Sequence, residues 1–330
     1  MRKTWFLILL VLSTAGVDCL RAAQPGGLPR MSDVGPSDSL LVVAPHPDDE
    51  SLCCGGLIDL ARRSGASVSI VWVTAGDGSR VDAIVGGRTL RPGHASYRGI
   101  ALRRAREARA AADILQVPHD RQFLLAYPDR GILPLTVSFH SSPWRSRRTG
   151  KSVVYLEEAV SPGSAYEGGN LERDLAAIIE QVRPTLVLAP SLQDAHPDHR
   201  GTGLMAMRVM AARGEADRVR YWIVHGGRGW PAPRGFRPNL PQLPAPRGHG
   251  MEWEYVPLDD AAREAKHRAI SAHGSQTRVM GRKMSSYVRA TELYARAPAP
   301  HGDPACVTAD SCTILQPAVD EFPLDEEEGP

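Results

Sequence analysis

Apolar residues in this 330-residue chain gather in short runs that alternate with stretches of helical period. Leu40–Ala44, Val68–Thr74, Gln122–Leu125, Thr185–Ala189, Val219–Val224 and Trp253–Val256 have the length of strands. Between them, Ser51–Arg63, Tyr97–Leu115, Asn170–Val182, Gly201–Ala212 and Asp259–Ala272 have the length and spacing of helices. Continuous apolar runs mark strands covered on both faces, and their alternation with helices predicts an α/β fold. Its core is a mainly parallel central sheet between two helical layers. One domain is expected over residues 38–296, with no internal repeat. Two stretches break the pattern and are expected as inserted loops. These are residues 131–167, and residues 226–250 with six Pro and six Gly in 25 positions. Long irregular segments in compact domains are commonly functional, so both are expected at the rim of a cleft. Residues 297–330, Pro-rich and ending in Asp325-Glu326-Glu327-Glu328, are expected to lack structure.

The N-terminus carries a different signal. Arg2 and Lys3 precede an apolar run from Trp5 to Leu12, and small residues follow at Ser13, Ala15, Ala22 and Ala23. This is the pattern of an export signal, expected over residues 1–23. It predicts a secreted or periplasmic protein, with an uncleaved anchor as the lesser alternative. The run is far shorter than the roughly 20 apolar residues a spanning helix needs, so no stable membrane span is expected.

Composition narrows the function. A net charge of +2 excludes a polycation. The stretch Gly78–Lys151 holds 13 Arg and one Lys against five acidic residues, for which a solvated helix face and loop is the simpler explanation. Aromatics are 6% of the chain and do not interleave with these arginines, so no nucleic-acid platform is expected. No Cys-x-x-Cys pair is present, which argues against a thiolate zinc site. Cys53 and Cys54 have the character of small packing residues, and Cys306 and Cys312 are close enough in sequence to form a disulfide.

The candidate chemistry lies where two apolar runs stop. The first is followed by His46-Pro47-Asp48-Asp49-Glu50, the second by Asp194-Ala195-His196-Pro197-Asp198-His199. Buried strands seldom end in so much charge unless the groups are paired or bind a metal. His46 and Asp49, three residues apart, can turn toward one point, and His199 offers a third ligand. Two imidazoles and one carboxylate suit a catalytic zinc and admit other divalent metals. Asp48, beside a ligand but directed elsewhere, is the natural general base. His196 is placed to stabilise an oxyanion or to protonate a leaving amine. Each cluster alone equally describes a turn entering a helix. Together, at the carboxyl ends of two strands, they point to one site.

Ala44-Pro45-His46-Pro47-Asp48-Asp49-Glu50 resembles the (A/P)HPDDE signature of the PIG-L/LmbE-like zinc N-deacetylases, and His196-Pro197-Asp198-His199 is similar to that family's HPDH. Weaker likenesses extend from about Leu40 to about Tyr294: Thr74–Gly78, Arg104–Glu107, Phe123-Leu124 with Asp129, and Lys266 with His273-Gly274-Ser275-Gln276. The resemblance implies a Rossmann-like fold and hydrolysis of an N-acetyl group from an acetylated amino sugar or glycoconjugate. It implies zinc on His46, Asp49 and His199, Asp48 as base, and His196 at the oxyanion or as acid. It also puts Arg104 and Asp129 near substrate, and His273 either in the substrate pocket or in a structural role under its floor. Family members acting on thiol-cofactor precursors or glycolipids work at the cytosolic side. The export signal points instead to an envelope or extracellular N-acetylated glycan, or an exported metabolite. The alternatives are a metal hydrolase of another amide or ester, and a carbohydrate-binding protein without catalysis.

Overall fold

The computed structural model describes residues 26–87 and 89–300. The export segment, Cys306, Cys312 and the tail beyond residue 300 lie outside the described residues. Among the described residues, seven strands form one sheet: β1 Ser39–Ala44, β2 Ser67–Thr74, β3 Gln122–Tyr127, β4 Leu186–Pro190, β5 Val219–Trp222, β6 Trp253–Pro257 and β7 Thr291–Ala295. Their order is β3-β2-β1-β4-β5-β7-β6, with β3 through β5 parallel and β7 antiparallel to both its neighbours. The helices are α1 Asp49–Arg63, α2 Arg80–Gly87, α3 His94–Ile114, α4 Ile132–Val137, α5 Gly168–Val182, α6 Pro197–Ala212, α7 Asp260–Ala272 and α8 Gly274–Met284. Helices α1, α3 and α7 pack together as one layer and α4, α5 and α6 as another, with the sheet between them. This is the expected three-layer α/β architecture. None of the described helices is long and apolar enough to cross a membrane.

The sheet positions the site through its connectivity. From β1 the chain winds to β2 and β3 on one side, then returns to place β4 on the other side of β1, pairing Leu40 with Leu186 and Val42 with Leu188. The strand order therefore reverses between β1 and β4. The loops leaving their carboxyl ends diverge there and open a crevice. The β1 strand is fully buried from Leu40 to Ala44, as its continuous apolar run requires.

Four elements depart from the sequence pattern. Strand β7 contains Glu292, which breaks the apolar run. The carboxylate is buried by pairing with Lys266 of α7 at 2.6 Å and by accepting the Gly56 and Leu57 N–H groups of α1. Helix α8 has no apolar stripe; only Gln276 and Met284 are buried along it. Helix α2 ends in two glycines. Helix α4 lies inside the expected loop 131–167, whose Val154, Leu156 and Tyr166 also join the core. That segment is packed structure, not a free rim. Cys53 and Cys54 are buried as expected of packing residues but are also joined to each other as a disulfide. The start of the Pro-rich tail is docked: the Pro298 carbonyl accepts from the Ser191 hydroxyl at 2.6 Å and from the Leu192 N–H at 3.1 Å.

Candidate metal centre

The loop after β1 turns sharply into α1. Asp48 takes φ 143° and ψ −29°, a region that L-residues rarely occupy, and the turn swings Asp49 back beneath His46. Asp49 Oδ2 lies 3.2 Å from His46 Nδ1 and also accepts the His46 N–H at 3.0 Å. The same oxygen lies 3.1 Å from His199 Nε2. Donor atoms around a tetrahedral zinc at about 2.0–2.1 Å sit about 3.3–3.4 Å apart, so these separations are close to those of a ligand set. Asp49 Oδ2 thus lies within 3.2 Å of both imidazoles, and one ring nitrogen each of His46, His196 and His199 lie within 4.8 Å of one another.

Proton positions test the fit of a cation there. His199 Nδ1 lies 3.1 Å from Asp194 Oδ2, which fixes the hydrogen on Nδ1 and leaves the Nε2 lone pair facing Asp49. That Nε2 is buried and has no hydrogen-bond partner, although a carboxylate oxygen is close. Two acceptors held face to face in a buried site call for a positive charge between them. In the absence of a metal, a second ring proton on His199 supplies that charge. Burial alone would push the His199 pKa down, but Asp194 and Asp49 outweigh it and hold it up at about 9. Burial would raise Asp49, yet His199 and His46 hold it well below the usual carboxylate range. His46 makes the matching arrangement: its Nε2 lies 3.2 Å from Asp198 Oδ2, which leaves Nδ1 for the site. Asp198 is itself fixed by the N–H groups of Arg130 at 2.6 Å and Ile132 at 3.0 Å. Each candidate imidazole ligand therefore has a carboxylate behind it, and the residues present fit a divalent metal.

The neighbours of this point complete the chemistry. Asp48 accepts a hydrogen bond from the Gln276 amide of α8, and its own N–H donates to Glu50 Oε2 at 3.0 Å. Burial, followed by the Asp49 charge, raises the Asp48 pKa to about 7. His196 caps α6: its Nδ1 accepts the Asp198 N–H at 3.2 Å, which leaves the ring hydrogen on Nε2. Burial, with His46, His225 and His199 nearby, holds that ring well below the ordinary histidine pKa. The His46 and His196 rings meet edge to face at 4.7 Å.

The three expected substrate residues fare differently. Asp129 is buried against the site, 3.5 Å from His46 Nε2, and accepts the Gly78 N–H at 2.9 Å. A Cβ on Gly78 would fall 2.7 Å from that carboxylate, so only glycine permits the approach. Arg104 is buried and engaged by Asp82 of α2, with Nε at 3.1 Å from Oδ2. Burial would lower its pKa, but Asp82, Asp48 and Asp129 keep it raised. Of the two expectations for His273, its complete burial matches the place under the floor of the site. Its Nε2 lies 3.0 Å from Glu50 Oε1, and Glu50 in turn accepts from Ser51 at 2.7 Å and from the Trp72 indole at 2.9 Å. His273 thus touches Glu50, whose other oxygen accepts the Asp48 N–H.

Two roles were not assigned from sequence. Asp198, within the second cluster, orients His46. His225, three residues after β5, places its ring 4.7 Å from that of His199 and 5.1 Å from that of His196. Its signal was a single imidazole after the apolar run Val219–Val224, the same rule that revealed the larger clusters.

Comparison with known proteins bears on the family and the fold. The PIG-L family, described as GlcNAc-PI de-N-acetylase, matches residues 41–210. A probable N-acetyl-alpha-D-glucosaminyl L-malate deacetylase 2 of Bacillus anthracis is 25% identical over 239 residues, covering 72% of this chain and 80% of that protein. A 1D-myo-inositol 2-acetamido-2-deoxy-alpha-D-glucopyranoside deacetylase 2 of Catenulispora acidiphila is 32% identical over 196 residues, 57% of each chain, so just over half of that relative is spanned. Among solved structures, the A40926 pseudoaglycone deacetylase superposes with a TM-score of 0.51 at 19% identity, over 78% of this chain and 96% of that one. At that identity the likeness is one of fold.

Proposed function

The chain belongs to the PIG-L family of GlcNAc-PI de-N-acetylases, and from that membership we propose that it is a metal-dependent hydrolase removing the acetyl group from an N-acetylated amino sugar or glycoconjugate. The observation that carries this reading is the buried, unpartnered His199 Nε2 facing Asp49 and His46, with Asp48 one residue away. His46, Asp49 and His199 would hold a divalent ion, for which zinc is the first choice. Bound there, zinc supplies a Lewis acid that polarises a carbonyl and acidifies water toward neutral pH.

The chain's own residues then have separate tasks. Asp48 takes the proton of the water that attacks the acetyl carbonyl carbon, and the Gln276 amide holds its carboxylate in place. His196 donates its Nε2 hydrogen to the oxygen that becomes negative, while its Nδ1 stays on the Asp198 N–H. The C–N bond breaks, the proton held by Asp48 passes to the leaving amine, and acetate departs. Asp129 and Arg104 lie close enough to this centre to bias substrate orientation. The two relatives from Bacillus anthracis and Catenulispora acidiphila are named for deacetylation of N-acetylglucosamine conjugates, which supports a sugar substrate. The basic and apolar N-terminus supports a meeting with it outside the cytoplasm.

The test is mass spectrometry of N-acetylglucosamine glycosides, a simple aliphatic acetamide and an acetyl ester, each incubated with zinc-loaded protein. Loss of one acetyl from the glycosides alone supports the reading. Turnover confined to the ester or the simple amide refutes it.

A further inference from the structure

We propose that His225 is a further metal-binding residue, and that Asp49, His199 and His225 form a second cation position overlapping the first at two of its three ligands. The inference rests on the metal centre described above. One donor atom from each of Asp49, His199 and His225 lies within 4.8 Å of the others, a grouping that does not include His46. The His225 ring meets the His199 ring edge-on, at 75° and 4.7 Å. Asp49 Oδ2 lies 3.1 Å from the inward-facing His199 Nε2, which is fully buried and without a hydrogen-bond partner.

The backbone is built to hold His225 at this place. Asp194 Oδ2 accepts the His225 N–H at 3.0 Å and the Val224 N–H at 2.9 Å, and it also fixes His199 Nδ1 at 3.1 Å. One carboxylate oxygen therefore sets both the tautomer of the first imidazole and the position of the second. The Ala195 N–H donates to the His225 carbonyl at 3.0 Å, and the Tyr287 hydroxyl donates to the Val224 carbonyl at 2.5 Å. The first bond ties the segment after β5 to the loop after β4, and the second ties it to the turn after α8. Packing alone asks for no such registration of a half-buried histidine.

Two imidazoles and a carboxylate select zinc, cobalt or nickel over magnesium or calcium. Both positions need His199 Nε2, because Nδ1 is committed to Asp194, so they are alternatives for one ion and not seats for two. It follows that loss of His46 leaves a complete three-donor set, as does loss of His225.

The experiment is zinc titration of the metal-stripped full chain against a chromophoric chelator, with the cobalt(II) absorption spectrum as a second readout. Wild type, H46A, H225A, H46A/H225A and H199A are compared, and His225→Gln repeats the H225A arm with bulk and hydrogen bonding retained. H46A is expected to keep one equivalent at about 10–100-fold weaker affinity, with the double variant at least about tenfold weaker again. H225A and His225→Gln are expected to change the cobalt spectrum. The proposal is overturned if removing His225 alters neither the affinity of the H46A protein nor the spectrum. If H199A retains wild-type affinity, both positions fail together; a null result confined to the His225 variants removes only the second.

Discussion

The loops after β1 and after β4 supply the same kind of chemistry by opposite constructions. The β4 loop is held largely by backbone. Asp194 alone accepts the N–H groups of His196, Val224 and His225 and orients His199, so the second cluster is set by residues close in sequence or on the adjoining strand. The β1 loop is held by side chains that arrive from far along the chain. Glu50 leans on His273, Asp48 on Gln276, and His46 on Asp198. A backbone cradle suits an imidazole that must present one fixed lone pair. A side-chain network suits a carboxylate that must take up and release a proton in a strained turn. Under the proposed function, the contrast assigns the fixing of one ligand, His199, to the β4 loop and proton transfer, beside the other two ligands, to the β1 loop, and that division can be broken experimentally.

The largest effect is expected at Asp48. Asp48→Asn should lower kcat by about 10²–10⁴-fold with metal content unchanged, measured by acetate release and elemental analysis. Loss of metal in that variant would erase the division. Asp194→Asn should do the reverse, weakening zinc affinity by about 10–100-fold, because His199 loses the carboxylate that fixes its tautomer. Gln276→Ala should reduce kcat by roughly tenfold while leaving zinc affinity intact, since it frees the Asp48 carboxylate without touching a ligand. An equal loss of metal would show that α8 supports the ligands as well.

The smallest effect concerns the far edge of the β1 network. Asp77 is buried, faces Asp129 and accepts from the Tyr155 hydroxyl at 2.7 Å. Burial, then the Asp129 charge, raises its pKa to about 7. A carboxyl raised on folding contributes its stability below about pH 4 and loses it as pH climbs toward 7. Asp77→Asn removes that dependence. The Tm difference, variant minus wild type, should therefore grow by a few degrees between pH 5 and pH 8. A constant difference would place the acid elsewhere.

The two constructions also explain what sequence could reveal. Both clusters were legible because a continuous apolar run ended abruptly in His and Asp. The backbone cradle was partly legible too, since Asp194 is only five residues from His199. The side-chain network was visible only as a motif likeness at His273 and Gln276, without the residues they touch. His273 and Gln276 sit at the start of α8, which carries no apolar stripe to announce a helix. β7 was hidden because Glu292 interrupts it, and the partner that permits its burial, Lys266, is on another element. His225 obeyed the strand-end rule, but a single imidazole does not stand out from a satisfied surface histidine. Arg104 had a motif likeness, yet the Asp82 that engages it lies on α2, a helix the pattern did not mark.

The central claim is that one divalent ion on the two loops is required for removal of an acetyl group from an amino sugar. The most direct measurement is parallel assay of acetate and free amine from an N-acetylglucosaminide, using protein as purified, protein stripped by chelator, and stripped protein given one equivalent of zinc. The account predicts equal yields of acetate and amine, abolished by stripping and restored by the single equivalent. Undiminished release from the stripped protein, or a zinc-loaded protein that frees neither product, would contradict it.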